Sequence, residues 1–134
     1  MFWDDDAKPL TDVECHELLA NANVGRLSLT ISALPLIVPV TYWYFRGSVI
    51  LGMGDGPAYR AAVANVVGLE IDGTNLEHVL WAVLVIGPTS EITQPAEHAE
   101  LQHLGVALPT GTTHAHYVRL RPDIITGCRA GDCS

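Results

Sequence analysis

The sequence predicts a small, mainly β protein in which six short strands close into an antiparallel barrel with helices at its periphery. Three observations carry that expectation. Alternating or short apolar runs recur six times between residues 25 and 121, each bounded by turn residues. Helical patterns occur only near the start, after the third strand and before the sixth. The strands are also too short and too often reversed to leave room for the crossovers that a parallel sheet requires.

Residues 1–9 read as a loose leader. Thr11 followed by Glu14 is a capping box, with Leu10 and Cys15 at the staple positions, so a helix is expected over 12–20, with Val13, Leu18 and Leu19 facing the core. Leu27, Leu29 and Ile31 then alternate with Arg26, Ser28 and Thr30 in a first, half-buried strand that turns at Ser32-Ala33. The second strand puts Leu36, Val38 and Val40 on one face and Ile37, Pro39 and Thr41 on the other. Proline cannot donate to a ladder, so Pro39 marks an edge or a bulge where backbone groups are free for a ligand. Arg46-Gly47-Ser48 turns the chain into a third, apolar strand at 49–51.

Gly52, Gly54 and Gly56 make a corner, and Pro57 suits the first turn of an alanine-rich helix over 58–66. Val67, Leu69 and Ile71 define a fourth strand. The fifth, 81–86, is apolar throughout and should be covered on both faces; 89–93 continue it after the Gly87-Pro88 bend. A helix is expected over 96–104 and a sixth strand over 114–121, with a short edge segment at 124–126 and a frayed tail over 128–134.

A length of 134 residues suits one domain spanning the chain. Its composition is 49% hydrophobic, yet no run approaches the roughly 18 apolar residues of a membrane span. So much apolar surface on a small domain points to burial against a second subunit, most simply in a homodimer. A formal charge of -8 would repel a polyanion, which argues against nucleic acid. Three cysteines, Cys15, Cys128 and Cys133, do not form a secreted disulfide framework, and the opening MFWDDDAKPL lacks the basic and apolar regions of a secretory signal. A reduced, cytoplasmic protein is expected.

The chemistry-bearing residues are few. The corner from Gly52 through Met53, Gly54 and Asp55 to Gly56, between a strand and a helix, invites an anion at free N–H groups, with Arg60 one turn on. Its spacing is neither that of a dinucleotide fingerprint nor that of a P-loop, and a plain glycine turn is the alternative. His114 and His116 share a strand face but lack an evident third metal ligand; His16, His78, His98 and His103 read as surface residues. Trp81, and Trp43 among Tyr42, Tyr44 and Phe45, suit either core packing or stacking on a planar ligand. No serine nucleophile signature or carboxylate dyad stands out.

In order, the segments ECHELL (14–19), VGRLSLT (24–30), PLIVPVTY (35–42), the strand and corner at 49–56, VGLEID (67–72), WAVLVIGP (81–88) and YVRLRPDIITG (117–127) resemble the pyridoxamine 5'-phosphate oxidase-like flavin-binding split barrels, particularly their small actinobacterial flavin and deazaflavin type. The resemblance implies a six-stranded antiparallel split β-barrel and a homodimer with two cofactor sites at the subunit interface. It places the ring of FMN, or of the deazaflavin F420, against Pro39, Val40, Thr41 and Tyr42. The phosphate falls at Leu51, Gly52, Met53, Gly54 and onward to Arg60, and the partner's region around Trp81 closes the site. The implied chemistry is hydride transfer to a small molecule. Relatives that hold FMN carry an Arg or Thr at the end of the third strand and a Lys or Arg soon after; here Leu51-Gly52-Met53 and Pro57-Ala58 stand in those places, so the cationic clamp is missing. Two readings follow: an FMN-binding (alternatively F420-binding) oxidoreductase, or a split barrel that has lost its cofactor and serves as a small-molecule-binding or scaffolding dimer.

Overall fold

Alternation of apolar and polar residues produces strands that bury one face, and most of these strands must find two neighbours to satisfy their backbone groups. The structure, a computed structural model, describes residues 5–106 and 115–131. In chain order the elements are β1 (Lys8–Pro9), α1 (Asp12–Asn21), β2 (Val24–Ile31), β3 (Leu34–Phe45), β4 (Ser48–Gly54), α2 (Pro57–Ala62), β5 (Val66–Thr74), β6 (Leu80–Glu91), α3 (Pro95–His103), β7 (Ala115–Leu120) and β8 (Ile124–Arg129). The order β6-β5-β2-β3-β4-β7 closes on itself because β7 returns to pair with Thr89, Ser90 and Glu91 of β6. The result is the six-stranded antiparallel barrel that the alternation predicts, with β8 and β1 extending the sheet beyond β6.

Closure depends on the bend at Gly87-Pro88, which lets β6 serve β5 and β8 with its first part and β7 with its last. A Cβ at Gly87 would stand 1.6 Å from the Arg121 carbonyl oxygen, and the Arg121 N–H donates to the Pro88 carbonyl at 3.0 Å. Only glycine permits that approach. The interior is filled by alternate residues of all six strands, among them Leu27, Tyr42, Leu51, Leu69, Val85 and Val118. Each such side chain contributes roughly 1.5–3 kcal/mol by leaving water.

The capping box forms as expected, with Glu14 N–H on the Thr11 hydroxyl at 3.2 Å and Thr11 N–H on the Glu14 carboxylate at 3.0 Å. The Thr11 backbone N–H, and after it the Thr11 hydroxyl, hold the Glu14 carboxyl below its ordinary pKa. The staple residues close over β8: a Cβ at Gly127 would meet Cys15 Sγ at 2.6 Å and Leu10 Cδ1 at 3.0 Å. Near the other end of α1, the buried Tyr42 hydroxyl donates to the Leu19 carbonyl at 2.7 Å, occupying a terminal acceptor that the helix cannot use. Both hairpin turns carry positive φ at residues other than glycine, at Ser32 (50°) and Ala33 (65°), and at Arg46 (50°) before Gly47 (75°), as tight two-residue hairpins require.

Several expectations are corrected. The leader is not loose throughout, because Lys8 and Pro9 pair with Arg129 and Cys128. The same pairing shows that the tail is strand as far as Arg129, with Cys128 buried; Cys133 lies outside the described residues. The segment at 124–126 is the start of β8, which pairs along β6. The helix expected over 58–66 stops at Ala62: Ala64 takes φ 59°, and the Asn65 amide binds the Ala61 and Val63 carbonyls, releasing Val66 and Val67 into β5. The run at 42–45 is the end of β3, and its aromatic side chains pack in three different places. Tyr42 faces the barrel, Trp43 and Phe45 pack against Ile50, Leu101 and Tyr117 under α3, and the Tyr44 hydroxyl meets His16 Nδ1 at 2.5 Å. His98 is half-buried, with Nε2 on the Ile92 carbonyl at 2.5 Å and its ring edge against Tyr117.

Gly87→Ala is expected to lower unfolding free energy by roughly 3 kcal/mol or more, because the clash is with backbone and no side chain can yield. Gly68→Ala, where the nearest atom is 3.7 Å away, is the matched control and should cost about 1 kcal/mol or less. Denaturant midpoints at unchanged slope check both.

Candidate functional site

A strand that changes partners leaves part of each edge uncovered. β3 pairs with β2 from Leu34 to Thr41 and with β4 only from Tyr42 to Phe45. Beyond the Tyr42–Leu51 pair β3 and β4 part, and Gly52, Met53 and Gly54 continue alongside β7. A cleft of about 380 Å³ opens in the gap, walled by Val38, Pro39, Val40 and Thr41 on one side and Gly52, Met53 and Gly54 on the other, with Ala58 at its end. Its size is that of a small-molecule site. The β2–β3 register is continuous through the Arg26–Pro39 pair, so Pro39 is a ladder residue whose other side faces the cleft, an edge and not a bulge.

Of the residues singled out in the sequence, Pro39, Val40, Thr41, Gly52, Met53 and Gly54 are brought together here. Tyr42 and Leu51 sit at the apex of the split with their side chains fully buried in the barrel. Arg60 is exposed on α2 and does not line the cleft. Trp81 lies elsewhere in the chain, packed over Gly73 in a separate groove of about 270 Å³ that it shares with Leu10, Leu18 and Glu17. A larger hollow, about 500 Å³, lies where β2 and β5 part beyond the Ser28–Gly68 pair, between Thr30, Asn65, Val66, Leu84 and Ile86; no charged side chain lines it.

Four side chains behind the glycine corner form a cluster that is not evident from spacing. His116 pairs with Met53 across β4 and β7, which directs its ring to the interior. The ring stacks on Tyr59 of α2, with centroids 3.8 Å apart and planes 6° from parallel. One oxygen of Glu91 accepts both the Tyr59 hydroxyl at 2.8 Å and His116 Nδ1. A carboxylate can only accept, so Nδ1 carries the proton and Nε2 of the neutral ring holds a lone pair. That Nε2 is buried without a hydrogen-bond partner, and the nearest charged atom is Asp55 Oδ1 at 3.6 Å. Burial, the bond to Glu91 and the nearby Asp55 charge push the Tyr59 hydroxyl up to about 12. Asp55 and His116 were flagged in the sequence for other reasons. Glu91 and Tyr59 were not, and the only signal was that a histidine in step with Val118 and Leu120 must point inward. His114 lies outside the described residues, and among those described no group of three or more His, Cys, Asp or Glu gathers as a metal site.

Residues 11–129 match the family described as pyridoxamine 5'-phosphate oxidase. The uncharacterized protein Rv0080 of Mycobacterium tuberculosis is 30% identical over 126 residues, covering 87% of this chain and 80% of that protein. The solved structure of an FAD-binding protein from Mycobacterium smegmatis is similar at 30% identity and a TM-score of 0.75, over 92% of this chain and 98% of that one. An FAD-binding protein from Mesorhizobium loti, at 20% identity, shares the fold with a TM-score of 0.80 over 94% of this chain and 98% of its own.

Tyr42, by burial alone, is also pushed up to about 12. In an alkaline absorbance titration these two tyrosines should ionise near pH 12, well after a free phenol at about 10. Their folded values are raised, so the stability they contribute is complete below about pH 10 and is lost as pH rises through 12. Burial raises the Tyr117 hydroxyl as well, so Tyr59→Phe should remove one late-ionising phenol and leave those of Tyr42 and Tyr117.

Proposed function

Because the chain belongs to the pyridoxamine 5'-phosphate oxidase family, we propose that it is a flavin-binding oxidoreductase whose cofactor ring lies in the cleft where β3 and β4 part. The cleft itself carries the proposal: two strand edges without ladder partners among the described residues face each other across a gap with apolar side walls. A flat tricyclic ring needs both features, an apolar slot for its faces and backbone donors and acceptors for its polar edge. FAD binding by the M. smegmatis relative supports the same reading.

When bound, the flavin supplies two-electron hydride chemistry. The chain's own residues orient it and keep water away. Val38, Met53 and Ala58 provide the apolar wall, and the backbone of Pro39, Val40 and Thr41 provides the polar edge. Gly52 and Gly54 let the opposite backbone come close, since no side chain intervenes. The substrate is a small molecule reached from the open side of the cleft. FMN, FAD and F420 share a ring of suitable shape and differ in their tails.

The outer face of the sheet supports a homodimer. Ile37 is 66% exposed, Val66 69% and Val24 56%, on adjoining strands β2, β3 and β5. These exposed apolar side chains share the face with the Arg26–Glu70–Asp72 ion cluster, and are covered most simply by a second copy of the same face. A cofactor-free, small-molecule-binding dimer is the second reading, and the observation that favours it is that no cationic side chain lines the cleft.

Titration of the purified protein with FMN, FAD and F420 should show saturable binding with a perturbed flavin spectrum, and Gly52→Val should weaken it by roughly tenfold or more by filling the slot. Absence of saturable binding by all three would favour the second reading. Sedimentation should give a dimer that Ile37→Glu combined with Val66→Glu converts to monomer.

A further inference from the structure

We propose that the groove between α1 and the start of β6 is a second binding site and that it takes a small organic cation, an ammonium group carried on an apolar body. Glu17 receives the ammonium, and Trp81, Leu10 and Leu18 receive the body. The groove and the flavin cleft share no lining residue. Glu14, Glu17, Leu18 and Asn21 stand at i, i+3, i+4 and i+7 of α1, so they form one stripe along the helix, while Cys15 and Leu19 of the neighbouring stripe are buried. Facing that stripe are Trp81 and, opposite it in the β6–β8 register, Arg129. Asn75 of the β5–β6 hairpin completes the lining, fixed by its Oδ1, which accepts the N–H groups of Glu77 at 2.9 Å and Val79 at 3.0 Å. The space of about 270 Å³ suits a monocyclic body rather than a nucleotide.

Charge selects the ligand. The lining carries two carboxylates and one guanidinium, and Lys8, next to Arg129 across β1 and β8, is not part of it. Arg129 is directed to Glu14, at 4.0 Å, and Glu14 is further engaged by Thr11. Glu17 has no hydrogen-bond or ion-pair partner among the described residues, so its carboxylate is the charge of this lining left to a ligand. The groove also runs to Asn21, at the end of α1, whose last turn contains no basic residue and where the aligned peptide dipoles leave partial negative charge. An anion would meet the same charges unfavourably.

The aromatic wall suits the same ligand. A Cβ on Gly73 would stand 2.9 Å from Cζ2 of Trp81 and 3.2 Å from Cε2, so the indole rests on bare backbone and needs glycine there. Trp81 is only partly buried, and Arg129 does not stack on it, since the cation–π contact among the described residues is Arg46 over Phe45. An indole with no cation over it attracts an ammonium that Glu17 has drawn into the groove. Gly73 and Trp81 are in step with the inward Ile71 and Val83, whereas Val24, Ile37 and Val66 project from the other side of the sheet. A dimer formed on that other side leaves the groove open, and the inference does not rest on the flavin reading.

Titration of the full chain with phenethylamine, 2-phenylethanol and 3-phenylpropanoate, followed by ¹H–¹⁵N correlation NMR at neutral pH, tests the site. The three probes carry a cation, a neutral group and an anion on one aromatic body. The amine should shift the Trp81 indole N–H and the Asn75 side-chain amide saturably and bind about fivefold more tightly than the alcohol, with the acid weakest. Glu17→Gln, at an exposed side chain, should bring the amine to within about twofold of the alcohol and leave the alcohol unchanged. Glu17→Lys should make the acid bind more tightly than the amine. Equal binding of the three probes, amine binding indifferent to Glu17→Gln, or no saturable shift at Trp81 overturns the inference. So does displacement of the amine by FMN, which would make the groove part of the flavin site, or an altered sedimentation of Glu17→Lys, which would make it a subunit contact.

Discussion

The molecule is arranged around a deficit in backbone hydrogen bonding along one long strand. β3 is asked to serve β2 with its first eight residues and β4 with its last four. A closed barrel requires every strand to have neighbours on both sides, and β3 meets that requirement only at its apex, where Tyr42 and Leu51 are locked into the core. On either side of that apex one edge of the strand lacks a ladder partner. Nature tolerates such edges where they meet solvent or a ligand, and here the free edge of Val38–Thr41 faces Gly52, Met53 and Gly54 of β4 across an apolar slot. Pro39 lowers the cost, since it brings no N–H that would need a partner.

Besides the buried Thr89, a partly buried polar cluster joins Tyr59 of α2 to Glu91 of β6 and His116 of β7 at one end of the barrel. Their bonds are mutually consistent: one carboxylate oxygen, two donors and a stacked pair of rings. A single nitrogen remains unsatisfied, and it lies beside the segment that forms one wall of the cleft. An apolar plug at this end of the barrel would have been simpler, and a buried acceptor left without a partner costs about 1–3 kcal/mol. That cost falls beside the cleft, the kind of place where a local conflict is kept for function rather than packing.

Much of the frame was legible because it is local. The Thr11–Glu14 capping box, the alternation in β2 and β5, and the turns at Ser32-Ala33 and Arg46-Gly47 each depend on residues within a few positions of one another. The six-stranded barrel followed from their number and order. Pro39 as a free edge and Gly52–Gly56 as a corner could be read from the residues, but that they wall one cleft came from family resemblance, since nothing in their spacing says which way a strand edge faces. What stayed hidden depends on closure. Glu91 and His116 meet because β7 returns to β6, and Tyr59 joins them because α2 stops early enough to cover the barrel end. Trp81 and Arg60 were drawn towards the cleft by analogy, and within one chain neither lines it.

The pairing of β4 with β7 also orders events in time. β2, β3 and β4 can fold as consecutive hairpins while the chain is being made, but the outer edge of β4 waits for Ala115–Leu120, which leave the ribosome far later. Until then Gly52, Met53 and Gly54 belong to an unprotected, largely apolar strand. Synthesis thus passes through a stage in which the strand that walls the cleft presents a sticky outer edge, and a chaperone or a neighbouring nascent chain would meet the protein at an edge that β7 covers in the finished barrel.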